Sequence, residues 1–409
     1  MGRHDIPPPH PAHQAVINSS PTRLFTRAFG ILSAATLAYF VADGLTLPTA
    51  PRFAAGPLGA DSVGVGLSIG AFSVTALLLR PWTGQLSDRY GRRPMILAGS
   101  AMLTVALLLH LVSVNLPIFV VARLLMGAAE AFVFVAAFAA AADLAPNDRQ
   151  GEALSYFSLT LYLGIGIGPP IGETILAAWG FNAVWVTAAA IAVLAGLLAL
   201  GVPDTRPPND REPEPMRLLH PKGILPGFVL LAGGWGMAGY FAFVSLYALH
   251  LGLEGAAPYL SLYAAIVIGL RVVGAKLPDR IGARRLSGTA MLVAAAGLLL
   301  IGLWTHPTGL LAGTALFAIG VAFMFPALSL LVVSSVPDSE RGAALGTYTA
   351  FLDVAFGLGP VAFGTVLASW GYQASFMTSA AVGIAGAALL IVGIRPQSPS
   401  ARKASTISS

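Results

Sequence analysis

The stretch from Arg80 to Ala183 returns 191 positions further along without insertion or deletion, so Asp88, Arg89, Gly91 and Arg93 recur as Asp279, Arg280, Gly282 and Arg284. The same offset carries Arg80 onto Arg271, Pro146 onto Pro337, Gly151 onto Gly342, Gly168-Pro169 onto Gly359-Pro360 and Trp179-Gly180 onto Trp370-Gly371. A register held that long marks a doubled unit. Because the paired polar motifs lie between long apolar segments, the duplication predicts two membrane-embedded halves of like topology.

Charged residues make up 10% of the chain, against roughly 25% in an ordinary soluble domain, while 56% of residues are hydrophobic. Twelve apolar stretches are read near 28–50, 60–81, 94–114, 117–141, 152–177, 181–202, 223–250, 256–275, 286–304, 308–334, 343–368 and 371–394. Each is long enough to cross a hydrocarbon core as a helix, which takes roughly 20 residues. Runs of Ala, Leu, Val and Gly without period-2 alternation favour helices over a barrel. The predicted fold is therefore all-α and integral to a membrane, with 12 transmembrane helices in two six-helix bundles over 24–202 and 223–395.

Residues 1–23, with Pro7, Pro8, Pro9 and Pro11 and no apolar core, read as a disordered tail. Residues 203–222, rich in proline and charge, read as a solvated linker, and 396–409 as a second tail. Placing both termini in the cytoplasm puts Arg89, Arg92, Arg93, Arg149, Arg206, Arg211, Arg217, Lys222, Lys276, Arg280, Arg284, Arg285 and Arg341 on the inner side and leaves Arg52 outside. That asymmetry follows the positive-inside rule and accounts for a pI near 9.6 without nucleic acid. The chain has no cysteine, which excludes disulfides and thiolate metal sites.

The loop after the second apolar stretch reads Gly84-Gln85-Leu86-Ser87-Asp88-Arg89-Tyr90-Gly91-Arg92-Arg93-Pro94. It resembles the G-x-x-x-D-R-x-G-R-R/K loop of the major facilitator superfamily, and Ala275 to Arg284 resembles that family's weaker second copy. The resemblance spans residues 24–395. Glycine permits a tight loop, a carboxylate can cap a helix start, and arginines can pair with it or with anionic headgroups. The resemblance implies that Gly84, Asp88, Arg89, Gly91, Arg92 and Arg93, with Asp279 and Arg280, form a cytoplasmic latch between the bundles. The bland alternative is topology signalling by positive charge. Arg80 and Arg271 either snorkel or join that latch.

Several charges fall inside the apolar stretches, where each marks a functional or packing role. Arg123, Gly127 and Glu130 in the fourth stretch share one helical face. One reading has Arg123 tuning a protonatable Glu130; the other has a structural pair. Asp43, five residues before Pro48, has no compensating cation in its own stretch and resembles the acidic first-span position of drug-exporting superfamily members. Pro48 and Pro51 are expected to bend or end that helix. Asp353 aligns with Tyr162 under the repeat, so the halves are chemically unequal there.

Gly164, Gly168, Pro169 and Gly172, followed by Glu173, resemble the family's antiporter motif except at the last position. The resemblance implies a hinge between the bundles and export driven by protons; small residues also permit simple close packing. Glu173 joins Asp43, Glu130, Arg123 and Asp353 as a candidate for proton coupling or substrate binding. Tyr39, Trp235, Tyr240, Phe243 and Tyr247 are a candidate cavity wall, against ordinary packing. His110, His250 and His306 fall near outer ends and carry little weight as relays.

Gly66 to Gly70 fits G-x-S-x-G but lies inside an apolar stretch, and no phosphate loop or H-E-x-x-H pair exists, so hydrolase, ATP-driven and zinc chemistry are unsupported. The resulting expectation is a monomeric secondary transporter in a bacterial cytoplasmic membrane, with protons, lipids and a small molecule as partners. No cofactor, metal or nucleic acid is expected. Export of a lipophilic or cationic compound is the leading reading, with an uptake symporter for a sugar, organic acid or amino acid, or a non-transporting sensor, as rivals.

Overall fold

The computed structural model describes residues 24–146, 149–205, 219–274, 277–337 and 340–393. The two expected tails and most of the expected linker lie outside these residues. Among the described residues every regular element is a helix: α1 (Arg27–Gly44), α2 (Thr46–Ala55), α3 (Ser62–Tyr90), α4 (Arg92–Leu109), α5 (Leu116–Asp143), α6 (Gln150–Ala199), α7 (Pro221–His250), α8 (Ala257–Val273), α9 (Leu277–Ile281), α10 (Ala283–Leu303), α11 (Pro307–Val333) and α12 (Arg341–Gly393). A 3₁₀ turn, His110–Val112, follows α4.

Among the described residues, nine helical runs are long and apolar enough to cross a membrane. A helix of 50 residues, the length of α6, would run about 75 Å, far more than the roughly 30 Å of hydrocarbon. It turns instead at Gly180 (φ 78°, ψ −178°), and α12 turns 191 residues later at Gly371 (φ 79°, ψ 178°). With the arms of α6 and α12 taken separately and the shorter apolar α8 included, the described residues hold twelve apolar helical segments, as the sequence predicts. Trp179 and Trp370, each 72% exposed, precede the two turns, where amphipathic rings suit a membrane interface. Only glycine adopts this backbone region without strain, so Gly180→Ala and Gly371→Ala are each expected to cost about 1–3 kcal/mol. Gly30→Ala, at an exposed helical position where a methyl meets open space, is expected to be neutral or stabilising. Thermal melting of the solubilised variants measures the contrast.

The first crossing is broken at Leu45, between α1 and α2. Pro48 has no N–H for the Gly44 carbonyl, and its ring crowds that carbonyl. The freed region is held by hydroxyls: Thr46 Oγ1 donates to the Asp43 carbonyl at 2.7 Å and Thr49 Oγ1 to the Leu45 carbonyl at 2.8 Å. The crossing therefore continues past the prolines to Ala55 with Leu45 itself in helical conformation, and Asp43 sits just before the interruption.

The motif loop between α3 and α4 defines one end of the molecule, here termed the basic end; the turns at Gly180 and Gly371 define the other. Across the two halves, α3 lies on α12 and α6 on α8. Gly66 abuts Pro360 and Val361, Gly70 abuts Gly357, and Gly364 abuts Ser62, so backbones touch with no side chain between them. These close approaches all lie toward the end away from the basic loop.

Candidate functional site

Three arginines and three carboxylates lie within the crossing helices between these closed contacts and the basic end. On α3, Arg80 Nη1 approaches Asp353 Oδ2 of α12 at 2.7 Å, and its Nη2 donates to Glu130 Oε1 of α5 at 3.4 Å. The Asp353 contact is a charge contact without hydrogen-bond alignment, and Glu130 Oε2 has no hydrogen-bond partner. The Arg80 guanidinium also lies over the Phe134 ring, 5.1 Å from its centroid. One cation from the first half thus serves two buried carboxylates, one from each half.

About two turns nearer the α5 start than Glu130, buried Arg123 donates from Nη1 to Thr46 Oγ1 at 3.4 Å and lies 5.4 Å from the Phe72 centroid. Half-buried Asp43 is within electrostatic reach of both Arg123 and Glu130 but forms no ion pair among the described residues. The expected pairing of Arg123 with Glu130 is replaced by two separate arrangements, Arg123 with Thr46 near Asp43 and Glu130 with Arg80. Seven helical residues rise about 10.5 Å, and across that spacing each group takes the partner that a neighbouring helix brings closer. Arg80, expected to snorkel or join the basic latch, belongs instead to this buried cluster.

The repeat supplies a second cation. Arg271 of α8 lies over Tyr162 of α6, 4.4 Å from the ring centroid, at the position equivalent to Arg80 on Asp353. Among the described residues Arg271 has no ion pair or hydrogen bond, and its Nε is buried without a partner.

Glu173 stands apart from the cluster, at the end away from the basic loop. Its Oε1 accepts from Ala256 N at 2.7 Å and its Oε2 from Ala257 N at 2.8 Å, capping the start of α8 in the other half. Arg52 Nη1 lies 3.9 Å from the same carboxylate. This contact gives Glu173 a place in the closure between halves rather than among the central charges.

The basic loop closes on its own half. Arg92 bonds to Asp88 and to Ser87 Oγ (3.1 Å) and reaches Asp143 Oδ2 at 3.2 Å, which also accepts from Thr205 Oγ1 at 2.9 Å. Arg89 lies over Tyr90, 5.3 Å from the ring centroid. Gly91 adopts φ 98° beside the Asp204 carboxylate, and Gly282 repeats it at φ 90°. A methyl on Gly84 would meet open space, Arg93 is partly exposed and Arg280 exposed. The side chain of Asp279 lies outside the described residues.

Gly164, Gly168 and Gly172 pack on Phe40, Gly44 and Leu45 of the first crossing, so this stripe joins helices of one half rather than forming the boundary between halves, and Pro169 is buried beside it. It is the adjoining Gly166 that crosses: its carbonyl accepts from Ser261 Oγ of α8 at 2.9 Å. The expected aromatic wall is interior packing. Tyr240 bonds Thr314 at 2.9 Å, Tyr247 donates to the Ile301 carbonyl at 3.1 Å, Phe243 stacks on Phe363, and buried Tyr39 packs edge-on against Phe40; only Trp235 is partly exposed. His110 is likewise packed, against Phe119 and Trp185.

The sequence signature of the Major Facilitator Superfamily matches residues 32–286 and 260–408. An uncharacterised MFS-type transporter of Salmonella typhimurium is 28% identical over 377 residues, covering 89% of this chain and 96% of that protein. The uncharacterised MFS-type transporter YhhS of Escherichia coli is 27% identical over 392 residues, covering 94% and 95%. Among solved structures, the human organic anion transporter MFSD10 (TETRAN) superposes with a TM-score of 0.69 at 22% identity, over 89% of this chain and 99% of that one. An inward-facing bacterial homologue of the human lysosomal transporter Spinster gives 0.73 at 13%, over 89% and 94%. At such identities these two likenesses establish the fold.

Proposed function

From the premise that this chain belongs to the Major Facilitator Superfamily, and so is an integral membrane transporter and not an enzyme, we propose that it is a proton-coupled exporter of a small organic compound. The observation that carries proton coupling is the single guanidinium of Arg80 between Glu130 and Asp353. Two carboxylates on one cation leave a surplus negative charge in a low-dielectric setting, which a proton neutralises. Because the carboxylates come from opposite halves, that proton biases how the halves sit together, which is what coupling by alternating access requires.

Export rather than uptake is supported by the motif at Gly164, Gly168, Pro169 and Gly172 and by Asp43 just before the interruption of the first crossing. In this reading the protein is a monomer in a bacterial inner membrane, with bundles over 24–202 and 223–395 and both termini cytoplasmic, as the placement of Lys and Arg supports. The close packing of Gly66, Gly70 and Gly364 then lies on the outer side, and the basic loop is a latch that engages the second half when the outer side opens. Glu130 and Asp353 are occupied by Arg80, which leaves Asp43 as the carboxylate of the cluster without an ion pair among the described residues.

A susceptibility panel in a host without its own exporters tests the reading, with empty vector, intact protein and Asp43→Asn at matched expression. Protection by the intact protein that falls to the vector level in Asp43→Asn supports export with a carboxylate requirement. Accumulation of the compounds inside cells instead of their loss supports an uptake symporter.

A further inference from the structure

We infer that Arg271 is the substrate-recognition cation of this transporter and that the transported compound carries an oxyanion such as a carboxylate or phosphonate. The internal repeat makes the case. Arg80 and Arg271 are the same position in the two halves, and each reaches across to the other half, Arg80 from α3 to α12 and Arg271 from α8 to α6. At the far side Arg80 meets Asp353, whereas the residue equivalent to Asp353 is Tyr162. The first arginine has a carboxylate to spare, through Glu130; the second has none among the described residues.

An uncompensated guanidinium inside a membrane protein is costly, and such groups face a partner or a water-filled path. The surroundings of Arg271 offer aromatic faces and phenols. Tyr162 lies against it, and Tyr263 and Tyr348 are within its electrostatic reach. Tyr263 donates to Met237 Sδ and Tyr348 to the Phe325 carbonyl, and among the described residues neither hydroxyl oxygen accepts from the guanidinium. Among the described residues Arg271 thus keeps a planar fork of N–H donors without an acceptor, the geometry that recognises a carboxylate or phosphonate in two-pronged fashion. Rings beside it suit the apolar body of an organic anion.

The surplus negative charge at Arg80 and the surplus positive charge at Arg271 divide the work: the former takes the proton and the latter the substrate. This assignment rests on the transport reading, but binding is measured without flux, so failure of the export assay and failure of anion recognition are told apart.

The purified protein is placed in nanodiscs of zwitterionic phosphatidylcholine, and its melting is followed by tryptophan fluorescence. The probes are 1-naphthoate and phenylphosphonate, each against a neutral counterpart, 1-naphthamide and benzyl alcohol. At saturating concentration the anions are expected to raise the melting temperature by about 2 °C or more, the neutral compounds less. Arg271→Gln abolishes the difference and Arg271→Lys retains part of it. Tyr162→Asp, which gives Arg271 the counter-charge that Asp353 gives Arg80, is expected to abolish the anion effect without lowering the melting temperature in the absence of probe. A merely structural Arg271 predicts no such loss. Equal shifts for anions and neutral counterparts, including no shift at all, overturn the proposal. So does a stabilisation produced only by adding phosphatidylglycerol to the nanodiscs and lost in Arg271→Gln, which assigns the guanidinium to a lipid headgroup.

Discussion

Arg80→Gln is expected to reduce transport by at least about 100-fold and to lower folding stability by about 3–5 kcal/mol, the cost of leaving a buried charge without its partner. Glu130 and Asp353 would then repel each other in a low-dielectric site with no cation, and the charge contact at 2.7 Å that joins the halves would be lost. The double substitution Arg80→Gln with Asp353→Asn separates the two effects. Removing one carboxylate together with the cation restores much of the stability but not the coupling, since the proton-accepting pair no longer exists. Chemical unfolding of the solubilised variants and proton flux in vesicles read the two quantities independently. Wild-type flux in Arg80→Gln would remove this pair of carboxylates from the mechanism.

The fold was largely legible in the sequence because duplication reports itself in register. Gly91 and Gly282, and Gly180 and Gly371, recur at one offset and adopt matching positive φ values, so the repeat foretells even backbone turns. The candidate site was half legible. A charge in an apolar stretch announces that it has a partner, and Asp43, Arg123, Glu130 and Asp353 were visible on that ground. The identity of the partner depends on depth within the membrane and on which helix lies opposite. Arg80, near the end of its stretch and close to the basic motif, therefore read as part of the loop, although it reaches Asp353 of the other half. The aromatic residues at helical spacing show the same limit. Periodicity places Tyr240, Phe243 and Tyr247 on a common side of α7, but burial between helices and exposure to a cavity give identical patterns. Likewise Gly164, Gly168 and Gly172 reveal a close helix contact without naming the neighbour, which proves to be the first crossing.

Glu173→Ala is expected to shift the conformational equilibrium toward opening at the end away from the basic loop by about 10–100-fold. The warrant is the pair of backbone N–H groups, Ala256 and Ala257, that end at the two oxygens of this carboxylate. Hydrogen bonds to a charged group contribute roughly 1.5–3 kcal/mol, and a contact made in one state only enters the equilibrium between states in full. The carboxylate also meets the positive end of the α8 dipole and stands near Arg52, so one side chain ties α6 of the first half to the start of α8 in the other. Glu173→Gln keeps one acceptor oxygen and should give a smaller shift of the same sign. The absence of cysteine makes the measurement direct, because spin labels on Ser62→Cys and Thr365→Cys are the only ones the chain can carry. These positions flank the contact between Ser62 and Gly364. Growth of a longer-distance population in Glu173→Ala, with melting behaviour retained, is the expected result; an unchanged distance distribution would mean that the glycine contacts of α3 and α12 hold this end closed without the carboxylate.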